Sequence, residues 1–124
     1  MKQQLIESVA PSAGSTLLLL TCKGIKTLDT GEIVRIEALS NYSKLYFSNG
    51  KTLVVAKVLH WFRDKLPLEC FVRVHRSHIV NVNHIKTLIR ERNIRLVLTD
   101  ESIIEISRRK KNDVVKMLQL THYA

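Results

Sequence analysis

Long apolar runs are missing from this chain. The longest, Leu17 to Leu20, falls far short of the ~20 residues a helix needs to cross a bilayer. Nothing after Met1-Lys2-Gln3-Gln4 forms the apolar core of a signal peptide. Cysteine is scarce. Cys22 and Cys70 make no Cys-x-x-Cys pair and no staple framework, and they read as buried free thiols of a reducing cytoplasm. Without an export signal the sequon Asn41-Tyr42-Ser43 reads as chance. The 4 glycines stand singly, so no loop is built to cradle a nucleotide phosphate, and no nucleophile elbow occurs. Repeats and low-complexity tracts are absent as well. These gaps exclude a membrane-spanning helix, a disulfide scaffold and the common phosphate-loop enzymes.

What is present is a chain of 124 residues, 45% hydrophobic and 25% charged, long enough for one globular domain with a single core. Acid is in short supply, and the net charge is +9. The imbalance is local. Residues 1–50 hold five Lys or Arg against four Asp or Glu, whereas residues 51–116 hold fifteen against seven. A basic region on one part of the fold fits a polyanion partner such as DNA, RNA or anionic lipid, and it also fits a merely solvated surface.

The periodicities predict a mostly β fold. Residues 1–14 read as a lead-in ending in the loop Pro11-Ser12-Ala13-Gly14. Thr16 to Cys22 reads as a buried strand, Lys23-Gly24 as a turn, and Ile25 to Leu28 as a short strand. Ile33 to Leu39 is apolar at 33, 34, 36, 38 and 39, which suits a strand or a short helix. Asn49-Gly50 between two β-favouring runs is a strong hairpin signal. Val55, Val58, Leu59, Phe62 and Leu66 recur at helical spacing, with Trp61 flanking the core and Pro67 as the stop. From Ile85 to Ile106 the pattern is a β-meander, with Ile94, Leu96 and Leu98 on one face. Ser107 is the expected N-cap of a final helix facing inward with Val114, Val115, Met117 and Leu118.

Three segments carry candidate chemistry. The first is the run Phe71 to Ile85, where a strand breaks into His75-Arg76-Ser77-His78 before Ile79-Val80-Asn81 resumes. Clustered donors on a break between strands suit a loop that reads a polar surface. His75, His78 and His84 have no acidic or cysteine partner nearby in sequence, so no metal is expected. His75 with Ser77 lacks the turn that a catalytic triad needs, and no enzyme activity is expected. The second segment is Ser107-Arg108-Arg109-Lys110-Lys111, four cations at a helix N-terminus. Each one there costs on the order of 0.3–1 kcal/mol if exposed, an arrangement that makes sense if an anion such as phosphate binds. The third is the polar loop Ser40-Asn41-Tyr42-Ser43-Lys44.

Taken in order, these segments resemble the LytTR family of bacterial DNA-binding domains. Phe71-Val72-Arg73-Val74-His75-Arg76-Ser77-His78-Ile79-Val80-Asn81 is close to that family's hallmark F-x-R-x-H-R-S-[aromatic or His]-[aliphatic]-V-N. Ile36-Glu37-Ala38 with Asn41-Tyr42, Leu66-Pro67, and Leu96 to Ser107 with its Ser-Arg ending match further signatures. The resemblance covers residues 15–120 as the domain, leaving 121–124 as a tail. It implies elongated antiparallel β-sheets with one internal and one C-terminal helix, and no helix-turn-helix. It also implies loops set into successive major grooves of double-stranded DNA at short promoter direct repeats. Family members are commonly response regulators whose receiver domain is phosphorylated by a histidine kinase. No receiver sequence is present here, so either a stand-alone protein or a piece of a longer regulator is expected, with a second copy on DNA at tandem repeats.

Carried over residue by residue, the first base-contacting position falls on Ser43 or Lys44, the second on Arg76 and the third on Arg108. Asn41 and Tyr42 belong to the first loop, and His75, Ser77, Arg109 and Lys110 would hold the backbone. No cofactor and no membrane are implied. The alternative is a non-catalytic module that binds RNA or a protein through the same basic loops. RNA would favour exposed aromatics, and the chain has only 3 Tyr, 3 Phe and 1 Trp.

Overall fold

The computed structural model describes residues 16–121. The expected lead-in 1–14 and the end of the expected tail lie outside them. The first two strands, β1 (Thr16–Thr21) and β2 (Gly24–Asp29), form an antiparallel hairpin in register from Thr16↔Asp29 to Thr21↔Gly24. Gly24 takes φ +119° at its tight turn, a conformation that only glycine adopts freely. Leu17 and Leu19 are buried, whereas Leu18 and Leu20 face outward. The run expected to be a buried strand is therefore half-buried, because a hairpin laid over a core covers only one of its faces. Cys22 sits in this turn and is exposed, which corrects its reading as a buried thiol; Cys70 is buried.

The central sheet holds β3 (Ile33–Leu39), β4 (Tyr42–Phe47), β5 (Thr52–Val55), β6 (Phe71–His75) and β7 (His78–Asn81), in the order β5-β4-β3-β7-β6. Every pairing in it is antiparallel. The segment 33–39, legible as strand or helix, is a strand in the middle of this sheet. Its ambiguous pattern has a cause: a register shift between Ile33 and Arg35 lets Ile33 and Ile36 enter one core and Val34 the other. A bulge breaks strict alternation in this way. The Asn49-Gly50 hairpin forms as expected, with Gly50 at φ +88° and its N–H on the Phe47 carbonyl at 2.9 Å.

Helix α1 (Leu59–Arg63) is shorter than the apolar stripe suggested. Leu59, Phe62 and Leu66 are buried as expected. Val55 instead pairs with Ser43 in the sheet, and Val58 stands exposed at the N-cap. The hydrogen-bonded ladder to β4 overrides helical spacing at Val55. The meander follows as β8 (Ile85–Arg90), β9 (Ile94–Leu98) and β10 (Ile103–Glu105), in the order β10-β9-β8. A 3-10 turn at Arg108–Lys110 leads into α2 (Lys111–Thr121).

The central sheet has a core on each face. One core joins Leu17, Leu19 and Leu28 of the hairpin to Leu59 and Phe62 of α1 and to Ile36, Leu45 and Ile79. The other joins Val74 and Val80 to Leu96, Leu98 and Ile104 of the meander and to Val114 and Leu118 of α2. Both faces are thus covered, as layered packing requires. The fold is mostly antiparallel β with one internal and one C-terminal helix, and no helix-turn-helix occurs among the described residues. No helix among them is long and apolar enough to cross a membrane.

Candidate nucleic-acid interface

Strand pairing brings the three sequence segments to one end of the central sheet. Glu37 pairs with His78, and the Ala38 N–H donates to the Ser77 carbonyl at 2.9 Å. The β3–β4 turn at Ser40-Asn41 and the β6–β7 turn at Arg76-Ser77 are therefore neighbours. The third segment docks beside them, because the Ser107 N–H donates to the Val74 carbonyl at 2.9 Å. Ser107 holds the expected N-cap position, and its carbonyl accepts from the Lys110 N–H at 3.0 Å. Its hydroxyl makes no capping bond, and Arg108 and Arg109 of this turn are exposed.

The central turn is braced from within. The Arg73 guanidinium donates from Nε to the His75 carbonyl at 3.0 Å and from a terminal nitrogen to the Arg76 carbonyl. Burial, reinforced by the nearby Arg63 charge, lowers its pKa from the ordinary arginine value. The side chains form a directed chain. Arg35 reaches His78 Nε2 at 3.3 Å, His78 Nδ1 meets Ser77 Oγ at 3.3 Å, and Ser77 Oγ meets His75 Nδ1 at 2.9 Å. The Ser77 backbone N–H also points at His75 Nδ1, at 3.2 Å. One assignment satisfies every contact: Arg35 donates to His78, His78 to Ser77, and Ser77 to His75. It leaves His75 with its N–H on Nε2, away from the chain.

The chain of donors requires a neutral His78. Desolvation first, then the Arg35 charge, lowers its pKa from the ordinary 6.5, against an opposing pull from Glu37. The unfolded chain therefore binds a proton that the folded one refuses. His78 stabilises the fold fully above pH 6.5, and that contribution is lost as the pH falls below it toward the depressed value. Thermal melts over this range are expected to show a falling melting temperature, and His78→Gln is expected to flatten the slope. Equal slopes in the two proteins would remove His78 as the titrating group.

The other expected contact residues differ in accessibility. Asn41, Tyr42, Arg76, Arg108 and Arg109 are exposed, whereas Lys44, His75, Ser77 and Lys110 are partly covered. Ser40, at the tip of the first turn, holds φ +58°, a left-handed backbone that a two-residue hairpin demands. Ser43 is a correction. It is fully buried, and its hydroxyl donates to the Lys57 carbonyl at 2.6 Å, tying the loop to the end of β5. It supports the first turn from inside and has no surface to offer a partner. Lys44 leans over the Tyr46 ring at 5.1 Å.

Around Arg76 lies a basic hollow of about 340 Å³ lined by Arg63, Arg73, His75, Arg76, Ser107, Arg109 and Lys110. Arg63 and Arg73 escaped the sequence reading as site residues. Arg73 sat in plain view within the motif, but Arg63 had no local signal, since only the tertiary fold swings α1 to this end.

Ion pairing sorts the cations of the surface. Lys86 pairs with Glu101 and Arg95 with Glu91, each at 2.8 Å, and Arg35 lies near Glu37 and Asp100. Among the described residues, no ion pair neutralises Arg63, Arg76, Arg108, Arg109 or Lys110. A cluster of cations left unpaired at converging turns defines a binding surface for a polyanion.

A mostly β domain that gathers one polar and two basic turns, with no helix-turn-helix among the described residues, defines a class of nucleic-acid-binding module. The family comparison gives it a name: the LytTr DNA-binding domain model matches residues 23–119, and the chain belongs to the LytTR family. It is a DNA-binding domain of the kind used in transcription regulation, and the family is not a catalytic one. The chain is also similar to a solved structure described as the LytTr DNA-binding domain of a methyl-accepting/DNA response regulator from Bacillus cereus. That match has 26% identity and a TM-score of 0.71, covering 84% of this chain and 96% of that one. No curated protein matches the chain.

Proposed function

We propose that residues 15–120 read double-stranded DNA sequence-specifically as the output domain of a bacterial transcriptional regulator. The turns at Ser40-Asn41, Arg76-Ser77 and Ser107-Arg108 enter major grooves at short direct repeats, one copy of the domain on each repeat. The observation that carries this reading is the convergence of the three turns around cations that have no acidic partner among the described residues. Arg76 and Arg108 are the base readers, since a guanidinium matches the paired acceptors on a guanine edge. Lys44, His75, Ser77, Arg109 and Lys110 hold phosphates, while Asn41 and Tyr42 line the first turn. The similarity to a domain described as part of a response regulator supports a place in a cytoplasmic two-component pathway, downstream of a receiver domain and its histidine kinase.

Selection of bound sequences from a random DNA pool tests the reading directly. The wild type is expected to enrich paired short repeats. Arg76→Ala is expected to lose about 1–3 kcal/mol of affinity and to relax preference at one base position in each repeat. Enrichment of no motif, or an Arg76→Ala pool identical to the wild-type pool, contradicts the assignment.

A further inference from the structure

The hollow around Arg76 shares its wall, His75 and Ser107, with a larger open cleft of about 680 Å³. Arg92, Arg108 and Lys111 line that second cleft. The basic surface therefore runs continuously from Arg63 at the end of α1, past the central turn, to Arg92 between β8 and β9. Neither end residue belongs to the three turns. Both are exposed, and neither forms an ion pair among the described residues.

The hairpin that carries Arg92 makes the contrast sharp. Three residues away, Arg95 is held by Glu91 at 2.8 Å, so this hairpin has an acid at hand and pairs it with a cation outside the cleft. Arg92 is left free at the cleft rim. Glu105 also lines this cleft, and its charge keeps an anion away from itself and toward the Arg92, Arg108 and Lys111 side.

We propose that Arg63 and Arg92 are outer phosphate clamps, one on each flank of the base-reading turns. The inference rests on the DNA-binding reading and widens its footprint. A track with free cations at both ends suits the sugar–phosphate backbone of a duplex that passes across the turns. Such contacts set register and orientation and carry no sequence information.

The test is a salt titration of the full chain with random-sequence duplex DNA, using Arg63→Ala, Arg92→Ala, the double variant and Arg95→Ala. Melting temperatures serve as the folding check. Each clamp variant is expected to make the salt slope shallower by about 0.9 and to weaken binding about eightfold at roughly 0.1 M salt. The double variant sums the two effects, and Arg95→Ala matches the wild type. Unchanged slopes for Arg63→Ala and Arg92→Ala overturn the clamps alone, as does an Arg95→Ala loss equal to that of Arg92→Ala. A wild type that binds no duplex overturns the underlying DNA-binding reading and the clamps with it.

Discussion

Raising monovalent salt from roughly 50 to roughly 200 mM is expected to weaken duplex binding about a thousandfold. The magnitude follows from the unpaired cations. Arg63, Arg92, Arg109, Lys110 and Lys111 line the two connected hollows, and Lys44 stands beside the first turn over Tyr46. Six phosphate contacts, each releasing condensed counterions, give a slope of log K against log salt near −5.4, and a fourfold rise in salt then costs about three decades. Cations already matched to acids contribute little, because they exchange one counter-charge for another. Lys86 and Arg95 belong to that group. Fluorescence anisotropy across a salt series measures the slope. A value shallower than about −2 would mean that most of these side chains never reach phosphate.

The sequence revealed different parts of the molecule for different physical reasons. The meander and the Asn49-Gly50 hairpin were readable because alternation and turn chemistry are local properties. The helix was misjudged at Val55 because a strand ladder to β4 competes with helical spacing, and a competing long-range pairing leaves no mark on a local pattern. Leu17 to Leu20 looked buried because a leucine run gives no hint of which face the rest of the fold will cover. In the candidate site, Arg76 was legible from the central motif and Arg108 from the cation run after Ser107, and both are exposed. Ser43 was misplaced, since its burial and its bond to the Lys57 carbonyl come from pairing with β5, which the local sequence does not show. Arg63 was invisible for the same reason in reverse: its partners in the hollow come from β6 and from the turn before α2.

The site also shows how a fold with little α-helix presents cations firmly. Arg73 closes the central turn with two donated hydrogen bonds. The Arg35–His78–Ser77–His75 chain holds the same turn from its other side. Arg76 is thereby left as the side chain that projects from a rigid base. Preorganisation of this kind removes part of the ordering cost that binding would otherwise incur.

Asn81→Ala is expected to destabilise the domain by about 3 kcal/mol, a fall of roughly 10 °C in melting temperature. Asn81 is 1% exposed. Its amide donates to the Ile33 carbonyl at 2.9 Å, and its side-chain oxygen accepts the Asn83 N–H at 2.9 Å. Alanine leaves the Ile33 carbonyl without this partner in the core, at about 1–3 kcal/mol, and removes the acceptor of the part-buried Asn83 N–H, which adds a smaller loss. The donated bond spans β7 to the start of β3, so its loss also loosens the pairing that sets the Arg76 and Ser40 turns side by side. Asn81→Asp separates the two bonds. It keeps the acceptor for Asn83 but turns a charged oxygen toward the Ile33 carbonyl, and it is expected to destabilise at least as much at neutral pH, with partial recovery in acid as the carboxyl gains a donor proton. Urea denaturation of the three proteins measures both effects. An Asn81→Ala midpoint within error of the wild type would show that the amide is replaceable, and Asn81→Asp matching the wild type would show that the bond to Ile33 contributes nothing.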